Sequence, residues 1–337
     1  MFRAPKFRLA AIAVAGSALA FYILKSIGLQ PIFSAATAVG WRGFMILYLY
    51  QFGLFVILGI AWYVLVPEHC RARATVFIWA RMVRDATSEL LPFSHLGGIL
   101  LGARTAASHG VSQPVAFGSM VTDVTTEMLA QIAFIALGVV ILMTFTPHNS
   151  LTFSLTSSAA LGLSTIVLSC AVFFALQRYG RTFTTKLISR LFPNAAAVTD
   201  SVAAQIEAIY RGPAKVGMSV LFHCGGWAAS ALSTWIALLL MGVHTHVRTV
   251  LAIESLVCAV RSVAFLVPSG LGVQEAAYAA IAPLFGIGAE IGLAVSLLKR
   301  ARDIAVGLPI LLLWHWSESR SFLAYKSMAP RRVRQST

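Results

Sequence analysis

The chain has 337 residues, of which 58% are hydrophobic and only 11% charged, with a mean hydropathy of +0.81. A soluble domain carries about 25% charged residues, so these values exclude an ordinary soluble protein and point to a membrane. The net charge of +14 would suit nucleic acid if it formed one surface, but it is parcelled between apolar stretches, which argues against that partner.

In chain order, Arg3, Lys6 and Arg8 precede an apolar run, 8–25, that ends Gly-Ser-Ala-Leu-Ala in the manner of a signal peptide. An uncleaved first span is the better reading, because the later spans then return the C-terminus to the cytoplasm. The next candidate spans are 44–66, 115–146, 153–176, 216–241 and 289–316. Each is long enough for the roughly 30 Å hydrocarbon core, which needs about 20 apolar residues. Between them, 177–213 is polar, basic and weakly periodic. With the N-terminus inside, segments 1–8, 67–84, 177–215 and 318–337 hold 18 of the 26 Lys and Arg, and the far side holds only Lys25, Arg42 and Arg248. This is the positive-inside bias. The tail 318–337, with Arg331, Arg332 and Arg334, would rest on anionic lipid headgroups.

Two apolar regions are interrupted. Region 75–108 breaks at Leu91-Pro92-Phe93-Ser94-His95-Leu96-Gly97-Gly98, and 250–286 breaks at Pro268-Ser269-Gly270-Leu271-Gly272. Proline removes a backbone donor and disfavours helix in the residue before it. Neither half of either region can cross alone, so two re-entrant helical hairpins are the economical solution. A shift of 176 positions relates them. Arg261 falls on Asp85, Pro268 on Pro92, Gly286 on Gly110, Lys299 on Asp123 and Asp303 on Glu127. The span 44–66 shifts onto 220–242. The unit of span, hairpin and span therefore occurs twice, over 44–146 and 220–317, in opposite orientations. Paired, interrupted segments of this kind mark transport sites. Few side chains match, so the spacing carries the repeat, and coincidence is the alternative.

Charges inside these apolar segments are costly and tend to face a cavity or pathway. Asp85 and Glu89 are one helical turn apart, with Arg81 a turn before; Asp123 and Glu127 share that spacing, as do Lys299 and Asp303, with Arg300 and Arg302 between. The charged centre of 289–316 reads as the middle of one long helix. Arg104 and Glu275 lie in the second arms of the hairpins. One reading is a polar groove for a charged or zwitterionic headgroup, with Asp85 meeting Arg261 and Asp123 meeting Lys299. The other is a structural network in which acids of one half neutralise bases of the other. For Arg104 the alternative is a side chain snorkelling to headgroups. His95 suits a structural hydrogen bond better than a ligand role, and His244-Thr245-His246 reads as an exposed loop. Gly98/Gly102 and Gly288/Gly292 have the spacing of close helix packing.

Cys70, Cys170, Cys224 and Cys258 are scattered, without metal spacing, and read as free thiols. No nucleophile elbow, P-loop, zinc-protease or dinucleotide motif occurs, so neither an enzyme nor a cofactor is expected.

The run Leu266-Val267-Pro268-Ser269-Gly270-Leu271-Gly272-Val273-Gln274-Glu275-Ala276, with Gly286 and Leu297-Leu298-Lys299-Arg300, resembles the conserved block of the lysylphosphatidylglycerol synthase transmembrane-region (flippase-like) family. Pro92, Gly97-Gly98, Arg104, Gly110 and Asp123 resemble that family's first block. The stretch from Arg84 to Ser94 is similar to the hopanoid-associated branch, HpnL. The chain departs from the family pattern at Lys299-Arg300, where Tyr-Arg is expected, and at Pro268-Ser269-Gly270, where Pro-Gly-Gly is expected. The aminoacyl-transfer domain of the synthases does not occur in these residues, so synthase activity is not expected.

The resulting expectation is a single all-α polytopic inner-membrane domain, with about six full spans, two re-entrant hairpins and both termini cytoplasmic. The resemblance implies lipid translocation or export, with a hopanoid as candidate cargo and lipid-synthesis or export proteins as partners. The headgroup would sit among Asp85, Glu89, Arg104, Asp123, Glu127, Arg261, Glu275, Lys299, Arg300 and Asp303. A non-transporting scaffold for lipid-synthesis enzymes and an intramembrane lipid-modifying enzyme are the alternatives.

Overall fold

The computed structural model describes residues 37–90, 95–145, 196–263 and 271–328, with isolated positions at 34, 164, 167, 168 and 171. It gives no side-chain placement at 95, 145, 196–199 and 319–328. The described residues form helices joined by turns, without a strand among them. In order they form α1 (Gly40–Tyr63), α2 (Ala74–Leu90), α3 (His95–Ser108), α4 (Gln113–Phe145), α5 (Ala196–Tyr210), α6 (Pro213–Leu240), α7 (Val247–Val263), α8 (Val273–Ile281), a 3-10 turn (Ala282–Phe285) and α9 (Ala289–Met328).

The long apolar runs became helices because only a helix satisfies every backbone group inside a single segment. Gly40–Tyr63 and Gln113–Thr144 are each long and apolar enough to cross a membrane. α6 has 28 residues and so extends about 42 Å. α9 is one continuous helix of 40 residues with its charged stretch near the middle. Hydroxyls inside α4 fold back onto their own turn: Ser119, Thr122 and Thr125 donate to carbonyls four residues earlier, and Thr126 to the carbonyl of Asp123. Large apolar side chains such as Trp41, Leu49, Val140, Leu221 and Leu312 lie on the outer surface, as lipid contact requires.

Two sequence expectations need correction or delimitation. The segment 177–213, read as polar, basic and weakly periodic, carries a helix at 196–210, α5. Its Val202, Gln205 and Ile209 recur every three to four residues, and Val202 and Gln205 pack beside Gly118 of α4. The spans 8–25 and 153–176 lie outside the described residues, apart from the helical positions named above, as do Pro92 and Pro268.

The elements on either side of α5 run in parallel series: α1–α4 before it and α6–α9 after it. In both series a long helix leads to a short helical pair, then to a glycine turn and a long charged helix. At the first turn, Gly110 has φ +90°; its N–H donates to Ala107 and the N–H of Val111 to Ala106. At the second, 176 residues on, Gly286 has φ +76°, with the same bonds to Pro283 and from Ile287 to Ala282. Both are left-handed caps that glycine adopts at least cost, each followed by a buried apolar residue.

Each series builds its own core. Trp62, Phe77, Ala103, Val115 and Met120 form one cluster. Leu238, Ile253, Leu256, Tyr278 and Val295 form the other. Close approach of α3 to α2 depends on Gly98, where a Cβ would lie 2.1 Å from Ser88 Oγ and 2.6 Å from the Arg84 carbonyl. The halves then interlock: α1 packs on α6, α2 on α9 and α7 on α4. The contacts thus exchange α2 with α7 and α4 with α9, as a two-fold relation would.

Candidate functional site

The first charged cluster is built by α2, α4 and α6. Positions 81, 84 and 85 share one face of α2 because three and four residues bring the helix round to the same side. Arg81 is 3% exposed and Asp123 of α4 is 0% exposed. Arg81 donates through Nε to Asp85 (2.8 Å), through Nη2 to Glu127 (2.7 Å) and through Nη1 to Asp123 (3.3 Å). Arg84 donates to Asp123 (3.0 Å) and to Glu127 (2.6 Å). Two guanidiniums therefore stitch α2 to the acidic turn of α4. The other oxygen of Asp123, Oδ1, lies 2.9 Å from Nε2 of His223 on α6, whose ring is 0% exposed.

The second cluster belongs to α7, α8 and α9, with hydroxyls from α6. Lys299 donates to Glu254 (2.7 Å), to the Tyr278 hydroxyl (2.8 Å) and to Thr234 (3.4 Å). Tyr278 and Thr234 donate to the other oxygen of Glu254. Glu275 pairs with Arg300 and caps its own helix, accepting from the N–H of Gly272 at 2.9 Å. Arg302 joins Asp303 (2.8 Å) and Ser233 (3.1 Å).

Between the clusters, Arg261 of α7 meets Glu89 of α2 at 3.5 Å, and the two side chains are 34% and 38% exposed. Gln131 of α4 also crosses to α7, donating to Ser262 (3.1 Å) and Cys258 (3.0 Å). Arg81, Asp123, His223, Glu254 and Glu275 are the buried floor of this arrangement, and Asp85, Glu89, Glu127, Arg261, Arg300 and Asp303, 20–38% exposed, are its partly open rim. The floor is fixed by ion pairs in a medium of low polarity. The rim offers both signs of charge to a polar group that reaches it.

Nine of the ten residues singled out from sequence belong to these two clusters and the bridge. Arg104 does not: its side chain is 62% exposed and pairs with Glu318 near the end of α9. The expected pairs across the repeat also require correction. Asp85 is held by Arg81 rather than Arg261, and Asp123 by Arg84, Arg81 and His223 rather than Lys299. The reason is reach. A guanidinium one turn away on the same helix, or across one helix interface, satisfies the carboxylate before the other half can. Arg81 and Arg302 were noted by their spacing but not placed in the site, and Arg84, His223, Glu254 and Tyr278 were not placed there either. A signal existed for His223 and Glu254, since each is a lone ionisable group inside an apolar helix. Gly98 and Gly102 do pack closely, against α2, and Gly292 lies 2.6 Å, measured from its built Cβ, from the Tyr278 carbonyl.

A family model described as lysylphosphatidylglycerol synthase TM region matches residues 8–310. No curated protein and no solved structure matches the chain.

Proposed function

The chain belongs to the lysylphosphatidylglycerol synthase TM region family, a family of lipid-related membrane proteins, and on that premise we propose that it carries the polar headgroup of a lipid across the inner membrane or toward an export partner. The observation that carries this reading is the partly open rim that accompanies a buried, ion-paired floor. A purely structural network has no need to leave Glu89 and Arg261 a third exposed and joined only at 3.5 Å. A charged or zwitterionic headgroup exchanges contacts with that rim while the acyl or polycyclic part stays in lipid.

The cargo we favour is a hopanoid, on the likeness of 84–94 to the hopanoid-associated branch. In this reading α2 with α3, and α7 with α8, are re-entrant hairpins of an inverted repeat. α2 has 17 residues, α3 has 14 and α8 has 9. At 1.5 Å per residue, these are about 25, 21 and 13 Å long, shorter than a roughly 30 Å core. Both termini lie in the cytoplasm.

The reading is tested by purifying the chain with its native lipid, identifying that lipid by mass spectrometry, and following its transfer between leaflets in vesicles. Enrichment of one polar-headed lipid is expected, with transfer reduced by Glu89→Gln and Arg261→Gln. Equal transfer by wild type, both variants and protein-free vesicles defeats it. The scaffold reading is favoured by one observation, the ion pairing of every floor carboxylate. It predicts that rim variants which fold leave lipid composition and transfer unchanged.

A further inference from the structure

His223 is the one floor residue with an unpaired end: its Nδ1 is buried and has no hydrogen-bond partner among the described residues. Its tautomer follows from its neighbours. Asp123 is a carboxylate, because two guanidiniums donate to its Oδ2. Oδ1 can therefore only accept, and Nε2 of His223 must carry the hydrogen between them. Nδ1 is then a bare lone pair inside the protein. The charge of the joined network points the same way. Three carboxylates (Asp85, Asp123, Glu127) face two guanidiniums (Arg81, Arg84), a surplus of one negative charge beside the imidazole. One proton on Nδ1 makes the network neutral.

The groups facing His223 are few. From α4 come Asp123 and, one turn on, Glu127; across that interface lie Arg81 and Arg84 of α2. One turn back on α6, Ser219 meets Thr126 of α4 at 2.9 Å. Its own helix adds Cys224. From α1, Tyr50 donates to the Ala229 carbonyl. Glu254 of α7, with Lys299 and Arg302 of α9, meets α6 only at Thr234 and Ser233. α5 contributes Asp200 and Glu207, and the turn after it Arg211, all of them exposed. His223 thus sits against Asp123, with Glu127 one turn on along α4 and the Thr126–Ser219 hydroxyl pair one turn back on α6.

We propose that His223 is a proton-carrying site that couples lipid movement to a proton gradient, an inference that rests on the translocation reading. The step is a plain transfer. A proton from water on one side adds to Nδ1, giving an imidazolium paired with Asp123, and leaves to water on the other side. Nothing is oxidised, and Nε2 keeps its hydrogen. The sequence has no nucleotide-binding motif, and the gradient supplies the drive.

The test uses the full chain in vesicles of phosphatidylethanolamine and phosphatidylglycerol, with entrapped pyranine reporting lumen pH and valinomycin with equal potassium clamping the voltage. A fluorescent phosphatidylethanolamine, bleached from outside by dithionite, reports lipid movement. After an external acid jump, wild type is expected to acidify the lumen and to move the probe faster than without the gradient. His223→Gln loses the acidification, and Glu207→Gln, on an exposed ion pair, keeps it. Asp123→Asn, which removes the surplus charge, loses it too and serves where His223→Gln does not fold. Wild type that carries no proton overturns the inference, and if it still moves lipid the translocation reading survives alone. Proton flow through His223 without lipid movement overturns the coupling and counts against translocation. Flow that survives in folded His223→Gln but is lost in Asp85→Asn places the proton on Asp85 and overturns the assignment.

Discussion

Arg84 holds two carboxylates at once, Asp123 at 3.0 Å and Glu127 at 2.6 Å, and its removal leaves Arg81 as the one guanidinium for both. An uncompensated buried charge costs about 3–5 kcal/mol, so Arg84→Gln should destabilise by that order, read as unfolding in detergent by tryptophan fluorescence. Asp123→Asn in the same chain should restore part of the loss. Arg84→Lys should recover little, because an ammonium cannot fork between two acids. The exchange Asp85→Arg with Arg261→Asp should be no better than either single variant, since Asp85 depends on Arg81. A rescue by that swap, read in the same assay, would show the two in contact. The positions of the charges were legible in the sequence, because an ionisable residue stands out against an apolar run. Their partners were not, because a long flexible side chain can reach several carboxylates and spacing along one helix says nothing of the next. His223 and Glu254 escaped for a different reason: each stands alone, without a neighbour at helical spacing to mark it.

At the scale of elements, the four long helices were readable from the length of their apolar runs, and the interrupted pairs from the short runs on either side of each break. α5 was not readable, because Ala196–Tyr210 mixes small and polar residues and its weak apolar face acquires a purpose chiefly against α4. The glycines divide into kinds that mutation can tell apart. Gly110 and Gly286 need positive φ, so alanine at either should cost about 1–2 kcal/mol. Gly225 lies inside α6 with open space around it, and alanine there should stabilise by about 0.5–1 kcal/mol. Gly98→Ala should pry α3 from α2, and Ser88→Ala should not rescue it, because the Arg84 carbonyl is part of the wall. Thermal unfolding of the four variants checks the order.

For the whole molecule, the charge asymmetry predicts an orientation with both termini on the cytoplasmic side. An impermeant thiol reagent applied to intact cells should label Asn149→Cys and leave Ser336→Cys untouched. Labelling of Ser336→Cys would reverse the orientation. The membrane class was legible from composition alone. The interlocking of the halves was not, because it depends on which surfaces meet, and a repeat in spacing is silent about contacts.

The two clusters have opposite polarity. In the first series the long helix α4 brings acids to bases on α2, and in the second α9 brings Lys299 to Glu254 on α7. The partner of Asp123 from the other half is His223, whereas position 47, which corresponds to 223, is a leucine in one apolar cluster with Leu298. The halves are therefore lock and key rather than twins. Two copies of residues 40–145 would set each Asp123 against a leucine, and two copies of 213–328 would set Lys299 against an imidazole. Produced as separate polypeptides in one cell, the halves should recover only as mixed pairs on affinity capture, and neither should capture itself. The seam between them thus accepts one of each half and closes within a single chain.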